Sequence, residues 1–153
     1  MGDIMHAAIT PLEPELRGHP VILTGMEEMP LLRVDSRLLA QAVGNVLHNA
    51  TVHAPPGSPI AVHAALEQSQ AGQGELELTV HDHGPGLTPE AALHVFDKFY
   101  RAPDAPAGGT GLGLAIARGL VRALKGDMTA GNHPEGGALF TVRLPVQIHQ
   151  TPP

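Results

Sequence analysis

Cysteine is absent from the 153 residues, which excludes disulfides and cysteine-ligated metal centres while leaving the redox compartment open. Tryptophan is absent too and aromatic residues make up 3% of the chain, so Phe96, Phe99, Tyr100 and Phe140 stand out, three of them in one cluster. Lysine and arginine number only nine and form no run; with a net charge of −6 a nucleic-acid-binding surface is not expected. Any phosphate bound here has to be held by backbone dipoles, a metal ion and one or two basic groups rather than by a basic patch. No apolar run approaches the roughly 20 residues of a membrane helix. Met1 to Thr10 lacks the charged and apolar regions of a signal peptide, so the chain as given is expected to be soluble.

What is present, 42% hydrophobic and 16% charged residues, fits one compact α+β domain with a core of useful size. Residues 1–30 read as a short helix stopped by Pro11 and Pro14, then a strand over His19 to Gly25. Residues 31–146 form the body of the domain, and the tail 147–153 is expected to fray.

A helix is expected over Ser36 to His53, capped by Asp35. At about 100° per residue, Leu39, Val43, Val46, Leu47 and Ala50 share one stripe, and Gln41, Asn45, His48, Asn49, Val52 and His53 lie opposite. Asn45 and Asn49 are one turn apart. A solvated face explains them; so does a pair of carbonyl oxygens able to ligate Mg²⁺ while their amides donate to phosphate.

Two strands, Ile60 to Ala64 and Glu75 to Asp82, are expected on either side of a polar loop from Glu67 to Gly74. The second ends in Asp82-His83-Gly84-Pro85-Gly86, where a carboxylate can accept a hydrogen bond from a flat amine-bearing ligand and the glycines leave room for it; a plain turn fits this stretch equally well. A short helix from Pro89 to Lys98 runs into Phe96-Asp97-Lys98-Phe99-Tyr100-Arg101. Ala102 to Gly109 reads as a mobile lid. Gly108 to Ala117 is a glycine-rich loop leading straight into an amphipathic helix, an arrangement suited to an anion, although a connector with a helix cap also accounts for it. A closing hairpin turns at Pro134 to Gly137. The ten histidines raise a metal site, with His81 and His83 on one strand face, but no third ligand follows from the spacing.

Asn45-Val-Leu-His-Asn49-Ala, Asp82-His-Gly84-Pro-Gly86, Phe96-Asp-Lys-Phe99-Tyr-Arg101 and Gly109-Thr-Gly111-Leu-Gly113-Leu stand in the order and spacing of the N, G1, F and G2 boxes. The stretch from Asp35 to Leu144 thus resembles the catalytic ATP-binding domain of two-component sensor histidine kinases, and within them the Kdp-type potassium and osmotic sensors. The resemblance implies the Bergerat fold, a two-layer α+β sandwich with a mixed five-stranded sheet covered on one face by three helices. It implies ATP and Mg²⁺ as cofactors, with Asn45 and Asn49 on the metal and phosphates, Asp82 on the adenine amino group, and Gly84 and Gly86 beside the base. Phe96 and Phe99 would seat the lid, with Lys98 beside the nucleotide and Arg101 on the γ-phosphate. Gly109, Thr110, Gly111, Leu112, Gly113 and Leu114 would wrap the phosphates, and His53 could stack on the base.

The implied reaction carries the γ-phosphoryl group to a histidine on a separate dimerisation domain, from which a response-regulator aspartate takes it. The implied parent is a membrane-anchored dimer with this part on the cytoplasmic side. Two departures stand out: Val52 replaces the Lys, and His53 the aromatic residue, that commonly follow the Asn-Ala pair, so lower nucleotide affinity is expected. His48 replaces a common acidic residue. Related hydrolases carry a water-activating Glu one turn before the metal-binding Asn, where this chain has Asn45, which favours transfer over hydrolysis. A degenerate nucleotide-binding or interaction module and an anti-sigma-type serine kinase are the alternative readings.

Overall fold

The computed structural model describes residues 1–70, 72–103 and 110–149. The chain runs through α1 (Gly2–Ile9), a 3₁₀ turn, α2 (Glu13–Leu16), β1 (Val21–Thr24), β2 (Leu32–Arg33) and α3 (Ser36–His53). There follow β3 (Ile60–Gln70), β4 (Gln73–His81), α4 (Pro89–His94), α5 (Gly113–Ala123), β5 (Asp127–Asn132) and β6 (Ala138–Ile148).

The sheet has the order β1-β3-β4-β6-β2, with β5 also paired to β6. Among the described residues only β1 and β3 run parallel, so the sheet is mixed as expected; the sixth strand is the two-residue β2. Alternation along β4 sends Leu76, Leu78 and Val80 into the core and leaves Glu75, Glu77 and Thr79 on the other face. Against the inner face lie α1, α3 and α5, with Met5, Leu39, Val43, Val46, Leu47, Ala117 and Val121 buried on Ile60, Val62, Phe140 and Leu144. Each large side chain so buried contributes about 1.5–3 kcal/mol.

The start of α3 is set locally: the Asp35 carboxylate accepts from Arg37 N and Leu38 N at 3.1 and 3.2 Å. Three expectations shift. The polar stretch from Glu67 is not a loop but prolongs the β3–β4 ladder, Glu67 pairing with Glu75 and Gln70 with Gln73 across a bulge, because exposed strands accept polar residues on both faces. The helix beginning at Pro89 stops at His94 rather than Lys98, and the chain turns so that Phe99 takes φ +66°. Past Val146, where fraying was expected, Gln147 and Ile148 pair with Arg33 and Leu32.

Candidate nucleotide site

A cleft of about 240 Å³ opens between α3, α4 and the start of α5. Asn45, Asn49, His53, Arg101, Thr110, Gly111, Gly113 and Leu114 line it together, and so do His48 and Val52. Asn45 and Asn49 are half-buried rather than on a solvated face, and among the described residues neither carboxamide has a hydrogen-bond partner. Two unpaired amides one turn apart in a cleft are a donor set that suits a hard cation and phosphate oxygens.

The second feature of the cleft is the N-terminus of α5. Its cap residue, Leu112, offers no side-chain cap, so no side chain of the cap accepts from the first-turn N–H groups, and Gly113 and Leu114 line the cleft at the positive end of the helix dipole. The Leu112 N–H itself reaches Thr110 Oγ1 at 3.3 Å. Among the described residues nothing lies within 4 Å of the position a Cβ of Gly113 would take, so the loop is open there. Gly111 differs: it has φ +74°, and a Cβ would come within 2.7 Å of the Phe99 backbone. Its carbonyl accepts the Phe99 N–H at 2.9 Å, so the segment before the expected lid is tied to the glycine loop backbone to backbone.

Asp82, Gly84, Gly86, Phe96, Lys98, Phe99 and Leu112 do not line the cleft itself. Asp82 is 2% exposed, and its Oδ1 accepts from Gly84 N at 2.8 Å and Ala138 N at 3.2 Å, which fixes the carboxylate from two sides. The Cβ space of Gly84 is occupied by the His53 carbonyl, 2.7 Å away, and that of Gly86 by Asn132 Oδ1, also 2.7 Å away. In this structure, then, these two glycines make room for the protein itself. Phe96 packs edge-on to Phe140 with centroids 6.5 Å apart, whereas Phe99 is 70% exposed. Gly109 and most of the expected lid, residues 104–109, lie outside the described residues.

Several contributors carried no local signal in the sequence: Leu87, which lines the cleft, Asn132, which holds it, and Arg118, which stacks on Phe96. Each acts across a long separation in the chain. The His81 and His83 rings do come together, at 4.7 Å, and His133 stacks on His81 at 3.9 Å. The His133 ring stacks on His81 at 15° and the His83 ring is tilted from it by 37°, and among the described residues no group of three His, Asp or Glu side chains is arranged to hold a metal. A wider groove of about 800 Å³ at the other end of the sheet, lined by Arg33, Glu67, Gln73 and Lys125 among others, contains none of the motif residues among those described.

Among known proteins, residues 34–148 match the family of histidine kinase-, DNA gyrase B- and HSP90-like ATPases. Sensor protein KdpD of Escherichia coli strain K12 is 39% identical over 146 residues, covering 95% of this chain and 16% of that protein. The solved mycobacterial sensor histidine kinase MprB superposes with a TM-score of 0.77 at 28% identity, covering 97% of this chain and 96% of that one. Full-length ShkA in complex with AMPPNP gives 0.76 at 25% identity, over 99% of this chain and 31% of that one. The chain thus spans about a sixth of the length of the curated relative KdpD. With the ordered boxes, the mixed sheet and the cleft between α3 and α5 in agreement, the chain belongs to the histidine kinase-, DNA gyrase B- and HSP90-like ATPase family and is similar throughout to the catalytic domains of sensor histidine kinases.

Proposed function

We propose that this chain binds Mg-ATP and delivers its γ-phosphoryl group to a histidine on a separate dimerisation domain of the same kinase, for passage to a response regulator. The observation that carries the reading is the unpaired Asn45 and Asn49 pair sharing one cleft with the uncapped start of α5. The AMPPNP bound by ShkA supports it, as a complex of a relative that aligns over nearly the whole of this chain.

The roles follow from the chemistry of each group. Asn45 and Asn49 offer carbonyl oxygens to the metal and amide hydrogens to phosphate oxygens. Mg²⁺, when bound, neutralises phosphate charge. The first-turn N–H groups of α5 and the guanidinium of Arg101 hold the phosphates, and Arg101 is suited to the charge that develops on transfer. Asp82, anchored through Oδ1, keeps its second oxygen for an exocyclic amine. His53 presents a ring to the cleft for the base. No carboxylate lines the cleft among the described residues, so water has no carboxylate base there, whereas an imidazole nucleophile carries its own lone pair. Catalysis here is positioning and charge neutralisation. The Kdp-type resemblance of the four boxes, together with the 39% identity to sensor protein KdpD, supports a membrane-anchored, dimeric parent of the potassium-sensing kind, with this part on the cytoplasmic side.

Calorimetric titration with a non-hydrolysable ATP analogue, with and without Mg²⁺, tests the reading on the intact chain and on Asp82→Asn. Metal-dependent binding that the substitution abolishes is the expected result. No binding by the intact chain would overturn it in favour of a degenerate module disabled at Val52 or His48.

A further inference from the structure

The turn between β5 and β6 grips the loop after β4 at two places. At one end the Ala138 N–H donates to Asp82 Oδ1, and the Asp82 N–H donates to Ala138 O, both at 3.2 Å. At the other, the Asn132 carboxamide pairs with the backbone of Leu87 in both directions: Leu87 N donates to Oδ1 at 2.7 Å, and Nδ2 donates to Leu87 O at 2.9 Å. The two residues are far apart in sequence, and Leu87 lines the nucleotide cleft while Asn132 does not. Gly86, at φ +78°, supplies the space: a Cβ there would stand 2.7 Å from Asn132 Oδ1. The turn that presents Asn132 is itself closed by the Gly136 N–H donating to His133 O and the His133 N–H donating to Gly137 O, each at 2.9 Å. His81 Nε2 pairs with Gly136 O at 2.8 Å. Asn132 therefore stands on a braced support and reproduces, with one side chain, the paired donor and acceptor of a neighbouring strand.

We propose that Asn132 is a positioning residue for the base-binding end of the cleft: by satisfying both backbone groups of Leu87 it fixes the span from Gly84 to Leu87 relative to Asp82, and so sets how well the site selects adenine over guanine. The inference rests on the nucleotide reading of the cleft. Asn132 is exposed and buries no apolar surface, so its loss changes the placement of the loop far more than the stability of the fold. The phosphate end, formed by α3 and α5, shares no hydrogen bond with it.

The test uses the intact chain with three probes in the presence of Mg²⁺: a non-hydrolysable ATP analogue, the matching GTP analogue and inorganic tripolyphosphate. In Asn132→Ala the Kd for the ATP analogue is expected to rise about three- to tenfold, as two modest hydrogen bonds allow. Tripolyphosphate binding and the thermal midpoint should hold, and the preference for ATP over GTP should shrink by the same factor. Asn132→Asp keeps the oxygen that accepts from Leu87 N and loses the donor, and should fall between. Gly86→Ala should weaken ATP binding less in the Asn132→Ala background than in the native one, because the clash with Oδ1 is gone. An intact chain that binds none of the probes removes the nucleotide reading itself. An intact chain that binds the ATP analogue, with Asn132→Ala unchanged in base preference or losing all three probes equally, overturns the role of Asn132 alone.

Discussion

The guanidinium of Arg118, on α5, lies 4.8 Å from the centre of the Phe96 ring while its Nε reaches Asp127 Oδ1, on β5, at 3.3 Å. Phe96 is thereby held between this cation and the edge of Phe140 in the core. A cation over a ring at a partly exposed site is worth about 0.5–1 kcal/mol. Arg118→Ala is expected to lower stability to urea by about that much, and Phe96→Ala by about 2–3 kcal/mol for a partly buried ring. A double-mutant cycle should show coupling of about 0.5 kcal/mol; simple additivity would mean that the contact contributes nothing.

Two glycines of the same loop should answer differently to alanine. Gly111→Ala meets the Phe99 backbone at 2.7 Å in a positive-φ conformation, and is expected to cost about 2 kcal/mol or more in chemical denaturation. Gly113→Ala meets nothing within 4 Å and sits in the first turn of a helix, so stability should hold or rise by up to about 1 kcal/mol. Its methyl group enters the cleft, so affinity for the ATP analogue should fall. Equal stability losses at the two positions would refute this division.

Val52 lines the cleft where the resemblance leads one to expect lysine. Val52→Lys adds a cation near the phosphates, and a charge-assisted hydrogen bond of about 1.5–3 kcal/mol corresponds to at least a tenfold fall in Kd for the Mg-bound ATP analogue. The gain should shrink with added salt. An unchanged Kd would mean that the position lies out of reach of the phosphates.

Asp127 links β5 to α5. The Met128 N–H, donated to its carboxylate at 2.9 Å, is the main cause that holds its pKa below the usual 3.8; burial opposes it, and Arg122 and Arg118 add smaller lowering contributions. A carboxylate with a depressed folded-state pKa stabilises the protein above its unfolded pKa, and that contribution disappears as the pH falls through the folded value. Asp127→Asn should therefore be less stable than the native chain by below about 1 kcal/mol at pH 6 or above, the two converging as the pH falls below 3.8 and through the lowered folded value. Denaturation midpoints across that range would show it; a constant difference would mean that the charge is not involved.

Helix α3 was legible in full, from Asp35 to His53, because cap and periodicity are both encoded within a few residues of each position. Its polar side was not: Asn45 and Asn49 suit water as well as a ligand until another element covers them, and only the packing of α5 against α3 makes a cleft there. The glycines of the Asp82 loop show the same limit. Room at Gly84 and Gly86 was readable, but what fills it, the His53 carbonyl and Asn132 Oδ1, arrives from distant parts of the chain.

By itself the sequence determined most of the elements but not all of their bounds, the α+β class, the stripe that becomes the core and, through four ordered boxes, the family. These depend on local spacing and short motifs. The tertiary structure decided which motif residues meet in one cleft, that Asp82 is buried and anchored by Ala138 from β6, and that Asn132 and Arg118 support the site from outside every motif. Such contacts join residues 22 to 56 positions apart, and no periodicity records them, because they follow from how the strands and helices are brought together rather than from the preferences of any one segment.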